Sequence, residues 1–461
     1  MPSFLAKDLS AWSGGTWERG EPPPVRGICA DTRTLRAGEL YVALRGPHFD
    51  GHTFIGEAFA RGAAAVMAET AVESAGKPVL RVPCTRKALA ALAAGYRRTL
   101  DARLIGVTGS VGKSTVKEMT ADLLASAAPT ARTRGNWNND IGLPLSLLMI
   151  EPSDRYGVFE VGTNHPGEIV ALCEYLRPEW GIITAIGPAH LEYFDSVESI
   201  AREKSALLRI LPAKGLAFLS RDDAWFDRLR AASPCEVVTV SLDAEADYRA
   251  QPDPAAGSRF VVQERATGQR AELTAPLPGR YMVANALLAV AVGRRCGLTW
   301  EAIRESLGRY RPLPMRWNRA VLHGVEFVND AYNSNPVSVR AALETFAKME
   351  VAGRRWLVLG GMLELGAAEC DLHHQLGRDV AAGPWAGLLY VGPRGAWIAE
   401  GAREAGMSAD RLFGCPDTMS AAGLLNKLAR PGDAVLLKAS RTECLEKVQE
   451  AYAASQAAGQ F

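Results

Sequence analysis

No stretch of the 461-residue chain approaches the roughly 18 consecutive apolar residues that a membrane-spanning helix needs. Its first fifteen residues, MPSFLAKDLSAWSGG, lack an apolar core of signal-peptide length. No two of its eight cysteines, at 29, 84, 173, 235, 296, 370, 415 and 444, stand in a C-x-x-C pair. That scatter argues against a disulfide frame or a zinc site and fits thiols in a reducing compartment. Excess charge is also missing. A formal net charge of +1 gives no reason to expect nucleic acid or an anionic membrane as a bulk partner. Internal repeats and low-complexity tails are absent. A cytoplasmic protein that inserts into no membrane is expected.

The chain does have the composition of a globular protein, 48% hydrophobic and 22% charged, with length for about three domains at ~150 residues each. Residues 1–83 carry short strand-like runs at 40–44, 64–67 and 79–82 and a helix at 55–61, a small α/β unit. Residues 84–313 open with an alanine-rich helix at 87–100 and continue as alternating strands and helices, with strands at 104–107, 157–161 and 180–186. Between 232 and 278 Pro, Asp, Gln and Gly rise and short β-like runs appear, which predicts an antiparallel insert or flank. Pro312 and Pro314 mark a boundary. Residues 314–461 have strands at 326–328, 355–359, 388–391 and 433–437 with helices between. The fold class is therefore α/β, with three domains and mostly parallel sheets in the second and third.

Residues 107–115 read VTGSVGKST between a strand and a helix whose apolar positions are Val116, Met119, Leu123, Leu124 and Ala127. A glycine-rich turn there aims backbone N–H groups at an anion, and the helix dipole favours negative charge. Lys113 can reach a β- or γ-phosphate, and the Ser114 hydroxyl can sit on Mg²⁺. The match to G-x-x-x-x-G-K is incomplete, because Val107 stands at the first glycine; the glycines are Gly109 and Gly112. ATP or GTP is the expected ligand.

Polar residues gather where the later strands end, the usual place for ligands in an open α/β sheet. Glu160 closes the run VFEVG and needs a partner if buried, such as Mg²⁺ held with Ser114. Taken alone, His190 in AIGPAHLEYF reads as structural, and Lys204 in IAREKSALL as a solvated charge. GNWNNDIGLP, with Asn136, Asn138 and Asn139, reads as a turn. NDAYNSNP, with Asp330, Asn333 and Asn335, is equally polar, but a turn does not explain a carboxylate directly after an apolar strand.

In this order, TGSVGKST, GNWNNDIGLP, FEVGTNHPGEI and AIGPAHLEYF resemble the signatures of the Mur ligases, the ATP-dependent amide-forming enzymes of peptidoglycan assembly. Within that family, DTRTLRAGELYVALRGPHFDGHTF, VNDAYNSNP and LGGMLELG followed by His373 resemble the members that add D-alanyl-D-alanine. The resemblance spans about residues 31–446. It implies a small N-terminal UDP-sugar domain, a central ATP domain and a Rossmann-like C-terminal domain that binds nucleotide and the incoming dipeptide. UDP-MurNAc-tripeptide, D-Ala-D-Ala, ATP and two Mg²⁺ ions would be the small-molecule partners of a monomer.

By that resemblance, Gly109, Ser110, Gly112, Lys113, Ser114 and Thr115 hold the phosphates. Asn285 lies on the adenine side, and Arg316 and Asp330 reach the nucleotide from the third domain. Ser114 and Glu160 hold one Mg²⁺, and His190 with Lys204, the latter as a carbamate, holds the second; Lys113, His190 and Lys204 are the expected catalytic groups. Asp31, Thr32, Arg33, Asp50, Gly51 and His52 match the UDP-sugar region. Asn136, Asn138, Asn139, Asn333 and Asn335 join the substrate set, and Lys438, Ser440 and Arg441 lie near the amine. The chain departs from the family at Tyr281-Met282, where His-Asn is usual, and at Gly361, where a carboxylate is usual. Thr32 and Ala439 are milder changes. The alternatives are another Mur-type or folylpolyglutamate-type ligase, or a non-catalytic ATP-binding scaffold.

Overall fold

Short apolar runs bounded by turn residues become the strands of three sheets, whose connections are mostly helices. The computed structural model describes residues 2–74, 76–253 and 257–457. The few residues outside these spans include both ends of the chain and part of the expected 232–278 insert. The first sheet runs in the order Thr16–Glu18, Val79–Arg81, Ala65–Ala68, Leu40–Val42, Ile28–Cys29, parallel except for its first pair. The second has nine strands. Six of them, from Thr130–Arg132 at one edge through Tyr156–Glu160, Arg103–Thr108, Trp180–Ile183 and Leu216–Ser220 to Glu236–Ser241, are parallel. Tyr248–Pro252 extends that set, and Arg259–Glu264 and Arg270–Thr274 finish it antiparallel, so the flank expected over 232–278 is present. The third sheet pairs the hairpin Asn318–Leu322 and Val325–Asn329 with four more parallel strands.

Two helices show why the central sheet is stable. Lys113–Ala125 buries Val116, Met119, Leu123 and Leu124 at helical spacing, and Arg280–Arg295 is buried along nearly its whole length. Both cover one face of the sheet. On the other face, helix Thr85–Arg97 places Leu89 and Leu92 in a core that also contains Leu40, Met67 and Leu80 of the first sheet, Phe159 of the second, and Leu172 and Leu176 of the helix Glu168–Leu176. One apolar core therefore crosses the expected boundary at residue 83. Removing a side chain such as Leu92 would cost about 2–5 kcal/mol.

Several element ends differ from the sequence reading. The alanine-rich helix begins at Thr85, not 87, because the Glu69 carboxylate accepts both the Thr85 N–H (2.8 Å) and its hydroxyl (3.0 Å). That cap comes from sixteen residues upstream. The strand expected over 180–186 stops at Ile183. Thr184 turns its hydroxyl onto the Val111 carbonyl at 2.5 Å, and Asp223 takes the Ile186 N–H at 2.8 Å, so the apolar residues that follow belong to a loop. Among the described residues, no helix is long and apolar enough to cross a membrane.

Candidate active site

The strand Arg103–Thr108 ends at the glycine loop, and helix Lys113–Ala125 starts from it. Two glycines let the loop close on its neighbours. At Gly109 (φ +153°) a Cβ would lie 2.0 Å from the Thr184 hydroxyl, and at Gly112 (φ +85°) 2.6 Å from the Asn285 side-chain oxygen. The second contact seats Asn285 against the loop. The Ser110 hydroxyl donates to the Gly187 carbonyl (2.8 Å), and Lys113 Nζ donates to the Gly109 carbonyl (2.8 Å). Burial lowers the Lys113 pKa, with Glu160 opposing and Arg316 assisting that shift.

The loop opens into a cavity of about 410 Å³. Ser110, Gly112, Lys113, Ser114, Thr115, Asn136, Asn138, Glu160, His190 and Asn285 line it from the central sheet, and Arg316, Asp330, Asn333, Asn335 and Lys438 from the third. Tyr281 and Met282 line it too, so an aromatic ring is kept at the departure noted above. The cavity thus brings together residues far apart in sequence, with Glu160, Asp330 and Lys438 at or just past strand ends and Ser114 and Asn285 on helices; Gly109 of the expected phosphate set does not line it.

The electrostatics favour a cation beside Glu160. This carboxylate is 2% exposed; one oxygen accepts from Asn138 Nδ2 at 2.7 Å, and the other is buried without a hydrogen-bond partner. A Mg²⁺ ion with the Ser114 hydroxyl would satisfy that oxygen, since Mg²⁺ takes hard oxygen ligands. Among the described residues no three His, Cys, Asp or Glu side chains converge on a point, so the protein's own carboxylates and imidazoles do not complete a cage. Lys204 is 2% exposed and lies outside the cavity lining, with no hydrogen-bond or ion-pair partner among the described residues. Burial first, and the charge of Lys113 second, hold its pKa well below the lysine value; Glu203 and Glu160 act the other way.

From the third sheet, Arg316 reaches Ser114 Oγ at 3.5 Å and stacks over Tyr332 (4.1 Å to the ring centre). The Asp330 carboxylate is taken by Lys438 Nζ (2.5 Å) and by the Trp317 N–H (3.2 Å). Lys438 therefore has a partner already, and Ser440 and Arg441 do as well: Ser440 Oγ accepts from the Leu363 N–H and Arg441 pairs with Glu446. At the expected carboxylate position, Gly361 faces Glu443, whose Oε1 lies 2.8 Å from where a Cβ would stand.

The asparagines divide by role. Asn139 Oδ1 caps the helix that follows it, accepting from the Ile141 and Gly142 N–H groups, and Asn335 forms a capping box with Ser338. Asn333 accepts from the Ser334 N–H. The turn-and-cap reading therefore holds for these three. The UDP-sugar set sits apart from the cavity, at the ends of the first sheet. Arg33 pairs with Asp31 through two nitrogens, Thr32 is buried, and Gly51 donates its N–H to the Leu44 carbonyl. His52 uses both ring nitrogens within the protein: Nδ1 meets Asp50 (2.6 Å), and Nε2 accepts from the Glu69 N–H (3.0 Å).

Three residues had no assigned role in the sequence. Lys117, 0% exposed, donates to the carbonyls of Thr133 and Gly135 and so holds the segment carrying Asn136 and Asn138. Glu203 accepts the N–H groups of Gly167 and Ile169, fixing the helix that ends in Lys204. Glu364, in the loop after the strand Arg355–Leu359 of the third sheet, meets Nδ1 of His190. Only the lysine gave a signal, one turn after Lys113 on the same helix; the other partners lie too far away in sequence to be seen.

This arrangement has relatives. Family models described as the Mur ligase family catalytic domain, the Mur ligase middle domain and the Mur ligase glutamate ligase domain match residues 24–97, 107–293 and 315–441. The UDP-N-acetylmuramoyl-tripeptide–D-alanyl-D-alanine ligase of Bacillus subtilis is 33% identical, over 93% of this chain and 93% of its own. That of Escherichia coli is 37% identical over 79% and 81%. Crystal structure I of MurF from Acinetobacter baumannii superposes with a TM-score of 0.89 at 29% identity, covering 98% of this chain and 99% of that one. MurF from Thermotoga maritima, solved in complex with ADP, gives 0.80 at 26%, covering 93% and 97%. The chain belongs to the Mur ligase family, and its likeness within that family is to the ligases that add D-alanyl-D-alanine.

Proposed function

We propose that the protein joins D-alanyl-D-alanine to UDP-N-acetylmuramoyl-tripeptide with cleavage of ATP, giving the UDP-MurNAc-pentapeptide of peptidoglycan synthesis, ADP and phosphate. The observation that carries this reading is the cavity where the glycine loop, Lys113 and the orphan oxygen of Glu160 face Arg316, Asp330 and Lys438 of the third sheet. The relatives named above support the substrates.

The terminal carboxylate of the tripeptide attacks the γ-phosphorus of ATP. A C–O–P bond forms, the bond to the β,γ-bridging oxygen breaks, and ADP leaves. The free amine of D-Ala-D-Ala then attacks the acyl carbon. A C–N bond forms, inorganic phosphate leaves with its oxygen, and the amine gives up a proton. The protein's work is positioning and charge neutralisation. Lys113 and the loop N–H groups hold the β- and γ-phosphates, Asn285 the adenine side, and Arg316 a phosphate from the facing sheet. Ser114 and Glu160 would hold one Mg²⁺, and His190 and Lys204 a second. Such ions, when bound, neutralise phosphoryl charge and orient the reacting oxygens.

An ammonium would repel a cation at Lys204. A neutral Nζ can attack CO₂, forming an N–C bond and releasing a proton, which yields an anionic carbamate with two oxygen donors. We include that modification in the proposal, along with Asp31, Arg33 and the 50–52 segment as the UDP-sugar contact. A monomer working in the cytoplasm is part of the same reading. The test is phosphate release from ATP, with the UDP-tripeptide and D-Ala-D-Ala each omitted in turn. Release that needs both substrates is expected; release indifferent to the dipeptide would overturn the assignment.

A further inference from the structure

The loop after the strand Arg355–Leu359 is fixed at its root and reaches across to the central sheet at its tip. At the root, the Ser440 N–H donates to the Gly361 carbonyl (2.9 Å) and the Leu363 N–H to Ser440 Oγ (2.9 Å). The Met362 N–H donates to Nε2 of the fully buried His373, whose Nδ1 donates to the Glu369 carbonyl (2.6 Å). Met362 and Leu365 are buried on either side of the tip. At the tip, the Glu364 carbonyl accepts the Glu192 N–H at 3.1 Å, and Gly366 packs on the Glu192 backbone. The Glu364 carboxylate meets Nδ1 of His190. Both residues are non-glycine and left-handed, with φ +62° and +56°. Such strain persists where the surroundings over-determine it, and it gathers at functional sites.

His190 lines the nucleotide cavity and Glu364 does not, so the carboxylate lies behind the imidazole. With Nδ1–H donating to Glu364, the lone pair is on Nε2. A carboxylate in this place fixes both the tautomer and the orientation of a ligating histidine. We propose that Glu364 is a positioning residue: it holds His190 with its Nε2 lone pair available to the cavity, and it does so only when the third sheet's loop is seated on the central sheet. The inference rests on the reading of His190 as a ligand-holding group. Its consequence is that chemistry at the central sheet is conditional on docking of the third.

The test uses the full chain labelled with ¹⁵N-histidine and saturated with an ATP analogue, UDP-tripeptide and D-Ala-D-Ala in the absence of Mg²⁺, so that the third sheet is docked, above pH 8, where an unperturbed imidazole is neutral. Seven histidines keep the spectrum tractable, and a His190→Gln variant assigns the resonance. The wild type should show Nδ1 protonated and Nε2 bare. Glu364→Ala should populate the Nε2–H form and lower kcat by about 10–100-fold, while KM for the dipeptide changes by less than about threefold. Glu364→Gln, whose amide oxygen can accept the same hydrogen bond, should keep the tautomer and recover most of the loss. The Glu364 side chain is 39% exposed, so these variants should fold. An unchanged tautomer, or wild-type kcat, in Glu364→Ala would overturn the proposal. Normal turnover in a His190→Ala enzyme would instead overturn the reading of His190 itself, with the tautomer experiment still reporting on the pair.

Discussion

Lys113, half-buried, and Lys204, fully buried, carry different loads. Lys113 rests on a loop carbonyl and lines the cavity, so its charge is available to a transferring phosphoryl group. Lys113→Ala should lower kcat by about 100-fold or more, as loss of an electrostatic donor does, with an unchanged unfolding midpoint; near-normal turnover would remove this loop from the chemistry. Lys204 has no anionic neighbour bonded to it and a pKa held down by burial. With ¹³C-bicarbonate the wild type should show a carbamate carbonyl signal that Lys204→Ala lacks. The variant should be nearly inactive and should not respond to bicarbonate, whereas millimolar small carboxylates should restore part of its activity. A high-resolution map of the active enzyme with two Mg²⁺ ions and a bare ammonium would end that idea. At this scale the sequence was most readable where one loop holds the whole signal, as in 107–115. It was least readable where a residue's meaning is its partner: Glu364 has His190 174 positions away, and no local pattern marks it.

Elements were legible where apolar spacing decides them. Helix Lys113–Ala125 starts where its periodicity begins, and the strand Arg355–Leu359 has the ends expected of it. Ends set by distant groups are not legible, as when Glu69 starts the helix at Thr85 or the Val111 carbonyl takes the Thr184 hydroxyl just past the strand Trp180–Ile183. The strand Leu412–Cys415 leaves no mark in the sequence, because it is short and half-exposed and has no apolar run to show. One long-range anchor allows a quantitative check. Asp433 is buried at the start of the strand Ala434–Lys438, and accepts from the N–H groups of Arg354 (2.8 Å) and Arg430 (3.0 Å) and from Trp356 Nε1 (3.0 Å). Burial pushes its pKa up, but these bonds prevail and hold it below the usual carboxylate value. Asp433→Ala would leave the buried indole N–H unpaired and should cost about 3 kcal/mol at pH 7. Because the folded-state pKa is depressed, that contribution is complete above the unfolded value near 4 and fades as pH falls through the folded one. The gap between wild type and variant in urea unfolding should therefore narrow below about pH 4. A gap that stays constant would mean the ionised form is not what stabilises the strand.

At the scale of the molecule, we propose the division 1–83, 84–313 and 314–461, with the hinge near Pro312 to Pro314. Met315 and Trp317, just beyond, both have φ +57°, and contacts such as Arg316 to Ser114 cross the cleft. A hinge there should close on ligands. Scattering from the free chain should become more compact on adding an ATP analogue, Mg²⁺, UDP-tripeptide and D-Ala-D-Ala together, approaching the profile of the arrangement described here. Identical profiles would count against it. The first boundary is of another kind, because one core crosses it: Leu40, Met67 and Leu80 pack with Leu89, Leu92, Phe159, Leu172 and Leu176. That has a consequence for synthesis. A ribosome makes residues 1–83 before any of the later side chains exist, and at ~5–20 residues per second the chain to Leu176 follows about 5–20 seconds later. For that interval one face of the first sheet is covered only in part, by Phe4, Leu9 and Val25, and the rest must be sheltered by the tunnel, by a chaperone or by its own partial disorder. A nascent chain stalled before residue 143 should therefore bind trigger-type chaperones more strongly than one stalled after residue 207, where the face has been closed.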